Sequence, residues 1–151
     1  MLKFLSHSSQ ETKKIAGLLA KEILIQPPKI SSALVLALTG DLGSGKTTFI
    51  QGFCRAAGIK KRITSPTFVI FKKFKIKNLK FKNLYHLDCY RIQKPQELLK
   101  LGFKEIIVNP QNIVLIEWAE KIKLLLPKET IWIKFSHTKS LNQRLIRIIR
   151  N

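Results

Sequence analysis

The stretch Gly40-Asp41-Leu42-Gly43-Ser44-Gly45-Lys46-Thr47 constrains this chain most, because it fills every fixed position of the pattern GxxxxGK[ST]. It follows Ala33-Leu34-Val35-Leu36-Ala37-Leu38, an unbroken apolar run of the kind that forms a strand covered on both faces. Beyond it, Phe49, Ile50, Phe53, Cys54 and Ala57 recur at helical spacing, predicting a helix from Lys46 to about Ala57 that Gly58 closes. Strand, glycine turn and helix in that order make a phosphate-binding loop. Phosphate oxygens must approach backbone N–H groups closely, so glycines at 40, 43 and 45 remove side chains and permit positive φ. The helix that follows directs its positive end at the anion. Lys46 is placed to reach the β- and γ-phosphates, and the Thr47 hydroxyl to ligate Mg²⁺.

A magnesium nucleotide also needs acids at the carboxyl ends of neighbouring strands, where doubly wound sheets bind ligands. The chain has nine Asp and Glu in total, and two of them end apolar segments. Glu117 closes Ile113-Val114-Leu115-Ile116, and Asp88 closes Leu84-Tyr85-His86-Leu87. Each is a candidate catalytic carboxylate, and each has the alternative of an ordinary turn acid. Thr64-Ser65-Pro66-Thr67 is a hydroxyl-rich loop that either senses the γ-phosphate or simply turns the chain into a strand. Arg91 is open to two readings, an internal arginine finger or the partner of a surface acid.

The rest of the chain alternates strands with helices, which predicts a three-layer α/β domain around a largely parallel sheet, one domain over 1–151. Ser8 and Glu11 have capping-box spacing, with Ile15, Leu18, Leu19 and Ile23 as the following helical face and Pro27-Pro28 as its end. Phe68 to Leu87 reads as two extended segments joined near Lys77-Asn78-Leu79-Lys80. Pro95 opens a helix carrying Leu98, Leu99 and Leu101, and Ala119–Leu126 reads as a short helix stopped by Pro127. Ile131, Ile133 and Phe135 alternate with Trp132 and Lys134, and Leu141–Ile149 is a final strand or helix; this terminal pair is expected to add antiparallel edges.

Composition narrows the class further. Apolar residues make up 45% of the 151, and no apolar run nears the length of a membrane span, about 20 residues. The N-terminus turns polar at Ser6, without a leader core, so a cytoplasmic protein is expected. Cys54 and Cys89 stand alone, and Cys54 falls on the apolar stripe of the helix, where a buried core thiol is expected. A net charge of +19 attracts polyanions, yet lysines on solvated faces explain it equally well. The densest run, Lys72 to Lys82, is interleaved with Phe71, Phe74 and Phe81, so contact with tRNA stays open.

Four motifs occur together: Gly40 through Thr48, Ser65-Pro66-Thr67-Phe68, His86-x-Asp88-x-Tyr90-Arg91 and Ile116-Glu117-Trp118-x-Glu120. In this order and spacing they resemble the TsaE family (also called YjeE), the ATPase component of bacterial tRNA threonylcarbamoyladenosine synthesis. The resemblance implies a P-loop NTPase that binds Mg-ATP and hydrolyses it slowly. It implies partners too, two related ASKHA-fold proteins of TsaB and TsaD type, one of which carries out carbamoyl transfer to tRNA. It implies Lys46, Asp88 and Glu117 as catalytic and Thr47 and Glu117 as holding Mg²⁺. Nucleotide contacts implied are Thr12, Gly43, Ser44, Gly45, Lys46, Thr47, Thr48, Thr67 and Trp118. Cys89 and Ala119 depart from the family pattern at positions that ligate nothing.

A small-metabolite kinase and a basic RNA-binding module gated by nucleotide are the rival classes. Kinases carry arginine-rich lids, for which Arg62 and Arg91 are too few. No Asn-Lys-x-Asp stretch is present to read guanine; adenine rests mainly on the resemblance.

Overall fold

The structure, a computed structural model, describes residues 1–65 and 71–150. Its elements run β1 (Leu2–Ser6), α1 (Ser9–Ile25), β2 (Leu34–Thr39), α2 (Lys46–Ala56), β3 (Phe71–Lys75), β4 (Asn83–Asp88), α3 (Gln96–Leu99), α4 (Phe103–Val108), β5 (Asn112–Glu117), a 3₁₀ segment (Ala119–Leu125), β6 (Ile131–His137) and β7 (Arg144–Ile149). The strands make one sheet in the order β1-β7-β6-β2-β5-β4-β3. Parallel pairing joins β4-β5-β2-β6, and the remaining pairs, β3 with β4, β6 with β7 and β7 with β1, are antiparallel. The expected α/β class therefore holds, with antiparallel strands at both edges.

Alternation along β2 explains why its sequence is apolar throughout. Leu34, Leu36 and Leu38 pack with α1 and α2, through Leu19, Ile23, Phe49 and Phe53. Val35 and Ala37 point to the other face, against Leu98, Phe103, Ile106 and Ile122. Both faces are covered, so neither can be polar. The same two-residue period governs β4 and β5. Leu84, Ile113 and Leu115 face α2, whereas Tyr85, Leu87, Val114 and Ile116 face α4. Continuing that parity puts His86, Asp88 and Glu117 on the face that α2 covers.

Several details of the observed elements refine the expected ones. The buried face of α1 is Thr12, Ala16, Leu19, Ala20 and Ile23, while Leu18 is 60% exposed, because the stripe is centred on the small residues that let α2 approach. Of Leu98, Leu99 and Leu101 only Leu98 is buried; α3 is a single turn, and Gly102 in the left-handed region restarts the chain as α4, which carries the apolar face instead. Residues 119–125 form a 3₁₀ rather than an α segment, broken at Ile122. The C-terminal stretch is a strand, and it holds an unforeseen partner in β1 along the sheet edge. The hairpin forms as β3 and β4, with a longer connection than expected, from Ile76 to Lys82, while its expected start at residues 68–70 lies outside the described residues.

Cys54 lies in the core as expected, and burial pushes both its thiol and that of Cys89 up to about 12.

Candidate functional site

The loop between β2 and α2 is built as its glycines demand. Gly40, Gly43 and Gly45 all have positive φ, at 146°, 73° and 101°. A Cβ on Gly40 would sit 2.8 Å from the Phe135 carbonyl and 2.8 Å from Ser44 Oγ, so no side chain fits there. A Cβ on Gly43 would meet nothing within 4 Å, so that glycine leaves the loop open outward. Ser44 is buried at the loop base.

Lys46 curls back over this loop. Its Nζ donates to the carbonyls of Gly40 (2.6 Å) and Asp41 (2.9 Å), and it stands 4.1 Å from the centre of the Trp118 ring. The side chain is buried, and burial holds its pKa below the usual lysine value despite the acids Glu117, Glu120, Asp88 and Asp41 around it. An ammonium held in a low-dielectric niche beside an open glycine loop interacts strongly with any anion that enters.

Thr47 and Glu117 meet at the mouth of the loop. Thr47 Oγ1 donates to the carboxylate, 3.0 Å from Oε1 and 2.9 Å from Oε2, and lies 2.9 Å from Ser65 Oγ. Glu117 is buried, and His86, fully buried on the adjacent strand, reaches its Oε1 at 2.9 Å through Nε2. In-register pairing of β4 with β5 sets Asp88 beside Glu117. Asp88 is half-buried and accepts from the Tyr90 backbone N–H at 2.9 Å; burial, helped by the Glu117 charge, raises its pKa. Trp118 has φ 57°, a left-handed turn directly after Glu117 that brings its ring over Lys46 and to 5.0 Å from Tyr90.

A hydroxyl and one carboxylate do not cage a metal, and among the described residues no three His, Cys, Asp or Glu side chains gather to do so. An oxygen pair of this kind suits Mg²⁺, which keeps several waters and takes further oxygens from phosphates.

On the other side of the loop lies a cavity of about 430 Å³ walled by the β1–α1 turn, the phosphate loop and the β6–β7 turn. Thr12, Gly43, Gly45 and Thr48 line it together with Gln10, Asn142 and Arg144. Thr12 is buried, and its hydroxyl is 2.7 Å from Ser6 Oγ, so it shapes the wall with its methyl side. Arg144 ties the β6–β7 turn to the loop by donating to the Gly43 carbonyl at 3.2 Å.

The fold thus gathers Lys46, Thr47, Asp88, Glu117 and Trp118 on one flank of the loop and Thr12 and Thr48 on the other. Thr67 lies outside the described residues. Sequence reading gave no role to His86 or Arg144, and took Ser65 only as part of the hydroxyl-rich loop 64–67, of which residues 66 and 67 lie outside the described residues. The strand parity of His86 with Asp88 was the available signal for the first, whereas nothing local marks Arg144, which only the return of β7 brings close.

A protein-family model described as "Threonylcarbamoyl adenosine biosynthesis protein TsaE" matches residues 6–146. A relative from Rickettsia conorii, named tRNA threonylcarbamoyladenosine biosynthesis protein TsaE, is 40% identical over 149 residues, covering 96% of this chain and 76% of its own. One of the same name from Bacillus subtilis is 40% identical over 132 residues, covering 87% and 75% respectively. Among solved structures, the crystal structure of YdiB from Bacillus superposes with a TM-score of 0.72 at 32% identity, over 99% of this chain and 84% of that one.

Proposed function

This chain belongs to the TsaE family, and from that premise we propose that it is a P-loop ATPase that binds Mg-ATP and hydrolyses it slowly to sustain turnover of the tRNA threonylcarbamoyladenosine modification complex. Its partners in this reading are the two ASKHA-fold subunits of TsaB and TsaD type, in the cytoplasm. The observation that carries the ATPase reading is the meeting of the Thr47 hydroxyl with the Glu117 carboxylate, beside Lys46, at an open glycine loop.

Each residue then has a physical task. Backbone N–H groups of Gly43, Ser44, Gly45 and the first turn of α2 receive the phosphate oxygens, and the helix end adds its positive field. Lys46 exchanges its carbonyl partners for β- and γ-phosphate oxygens. Thr47 and Glu117 would hold Mg²⁺, directly or through water, and the bound ion would supply positive charge against the phosphates. Asp88 orients the attacking water and receives its proton, for which its raised pKa suits it. Trp118 walls the Lys46 side, Thr12 and Thr48 belong to the nucleoside side, and Thr67 senses the γ-phosphate. Lys46 and Thr47 are both engaged with protein atoms in the free chain, so ligand entry must exchange those bonds. Such a site behaves as a switch rather than as a fast hydrolase.

The test is an ATPase assay of the purified chain, alone and then with its two partner proteins and unmodified tRNA. Slow hydrolysis that changes in the assembled mixture is expected. Phosphoryl transfer to nucleosides or small metabolites in place of hydrolysis would favour a kinase and overturn the reading.

A further inference from the structure

We propose that the groove between the start of α1, the outer face of α2 and residues 58–63 is a binding site for the phosphate backbone of RNA; the choice of RNA rests on the function proposed above. The groove encloses about 840 Å³ and is lined by Lys13, Arg55, Lys60, Lys61 and Arg62, with Gln51, Gly58, Ile59 and Ile63 completing it. No acid lines it. All five cations are exposed, and among the described residues none has a side-chain hydrogen bond or ion pair.

The walls are fixed by packing. Gly52 lets α1 approach α2 so closely that a Cβ there would lie 2.4 Å from the Lys13 carbonyl, which pins Lys13 at the rim. Gln51, one helical turn beyond Thr47, donates to the Ile63 carbonyl at 2.9 Å and anchors the loop that carries Lys60, Lys61 and Arg62. Two arginines in the set supply planar forks that match phosphate oxygens.

Chemistry selects a polyanion over a protein partner. The apolar members, Ile59 and Ile63, are 8% and 5% exposed and offer no surface for an anchoring side chain, which protein interfaces need. In the lysine-rich hairpin three of the six lysines, Lys73, Lys80 and Lys82, are already engaged within the protein. There Lys80 donates to the Pro28 carbonyl, Lys82 to the Asn78 carbonyl at 2.7 Å, and Lys73 lies over the Tyr85 ring.

The experiment is fluorescence anisotropy of labelled unmodified tRNA with the full chain across a salt series. Five phosphate contacts give a log–log salt slope of about −4. Charge reversal in the groove (Arg55→Glu, Lys60→Glu, Arg62→Glu) is expected to weaken binding about tenfold or more, whereas the same charge change on the hairpin (Lys72→Glu, Lys75→Glu, Lys77→Glu) has a much smaller effect. Equal losses in the two variants mean a diffuse field and overturn the site. Absence of tRNA binding by the unaltered chain at low salt overturns it as well, as does equally strong competition by poly-glutamate, which indicates an acidic protein. Calorimetry with Mg-ATP on the groove variant reads the nucleotide site separately, so failure of one reading is distinguishable from failure of the other.

Discussion

His86 Nε2 lies 2.9 Å from Glu117 Oε1 across adjacent parallel strands, with the imidazole fully buried. A carboxylate only accepts, so Nε2 is the donor; Nδ1 has no partner among the described residues. The bond fixes one carboxylate oxygen and thereby the direction in which Glu117 presents the other. His86 is thus a positioning residue. His86→Leu is expected to cost about 1–3 kcal/mol, a fall in Tm of several degrees, and to raise the Mg²⁺ concentration needed for nucleotide binding. His86→Gln, whose amide nitrogen sits near the place of Nε2, should restore the metal dependence. Titrating Mg²⁺ at fixed ATP by calorimetry checks both, and a Leu variant with unchanged metal dependence contradicts the role.

Lys46→Met should reduce Mg-ATP affinity roughly a hundredfold, about 2.7 kcal/mol. The same change should lower Tm by no more than about 2 °C, because it also removes a charge that burial disfavours. A pH series has a definite sign. The folded pKa lies below the unfolded one, so the ammonium's penalty is complete below the lowered value and is relieved as pH rises through it. Scanning calorimetry and nucleotide titration on the two proteins separate these effects.

Asp88 works in the opposite direction. Its folded pKa is raised, chiefly by burial, so the stability of its protonated form is present at low pH and lost as pH rises through the folded value. Asp88→Asn should therefore raise Tm at neutral pH and leave it unchanged in acid. It should also abolish the acid limb of the hydrolysis profile, which lies above the ordinary aspartate range. A profile with the same limb in the variant assigns that proton elsewhere.

Two glycines separate crowding from backbone strain. Gly40→Ala meets the Phe135 carbonyl and Ser44 at 2.8 Å with φ at 146°, and should cost about 1–3 kcal/mol and lose ATP binding. Gly58→Ala also has positive φ, 87°, but meets nothing within 4 Å; about 1 kcal/mol of strain with intact nucleotide binding is expected. Thermal melts and nucleotide titrations of both variants test the contrast.

Much of the fold was legible in the chain because its signals are local. The β2 run, the glycine loop and the α2 stripe each follow from a few neighbouring residues, and the boundaries of α2 came out within a residue. β1 was illegible because Leu2-Lys3-Phe4-Leu5-Ser6 has no clean period and owes its strand state to pairing with β7. Leu18 was misplaced because small residues, not large ones, mark where α1 meets α2. Asp88 and Glu117 could be found as acids at strand ends. The contact of Arg144 with Gly43 could not, since it depends on how β7 returns beside the phosphate loop.

The central claim is that Thr47 and Glu117, with Lys46 in the glycine loop, grip a magnesium triphosphate. Calorimetric titration of the purified chain with ATP, first with Mg²⁺ and then with the metal chelated, tests it most directly. The account predicts one binding event that weakens markedly without metal and disappears in Lys46→Met. No heat with Mg-ATP from correctly folded protein, or equal affinity with and without the metal, would contradict it.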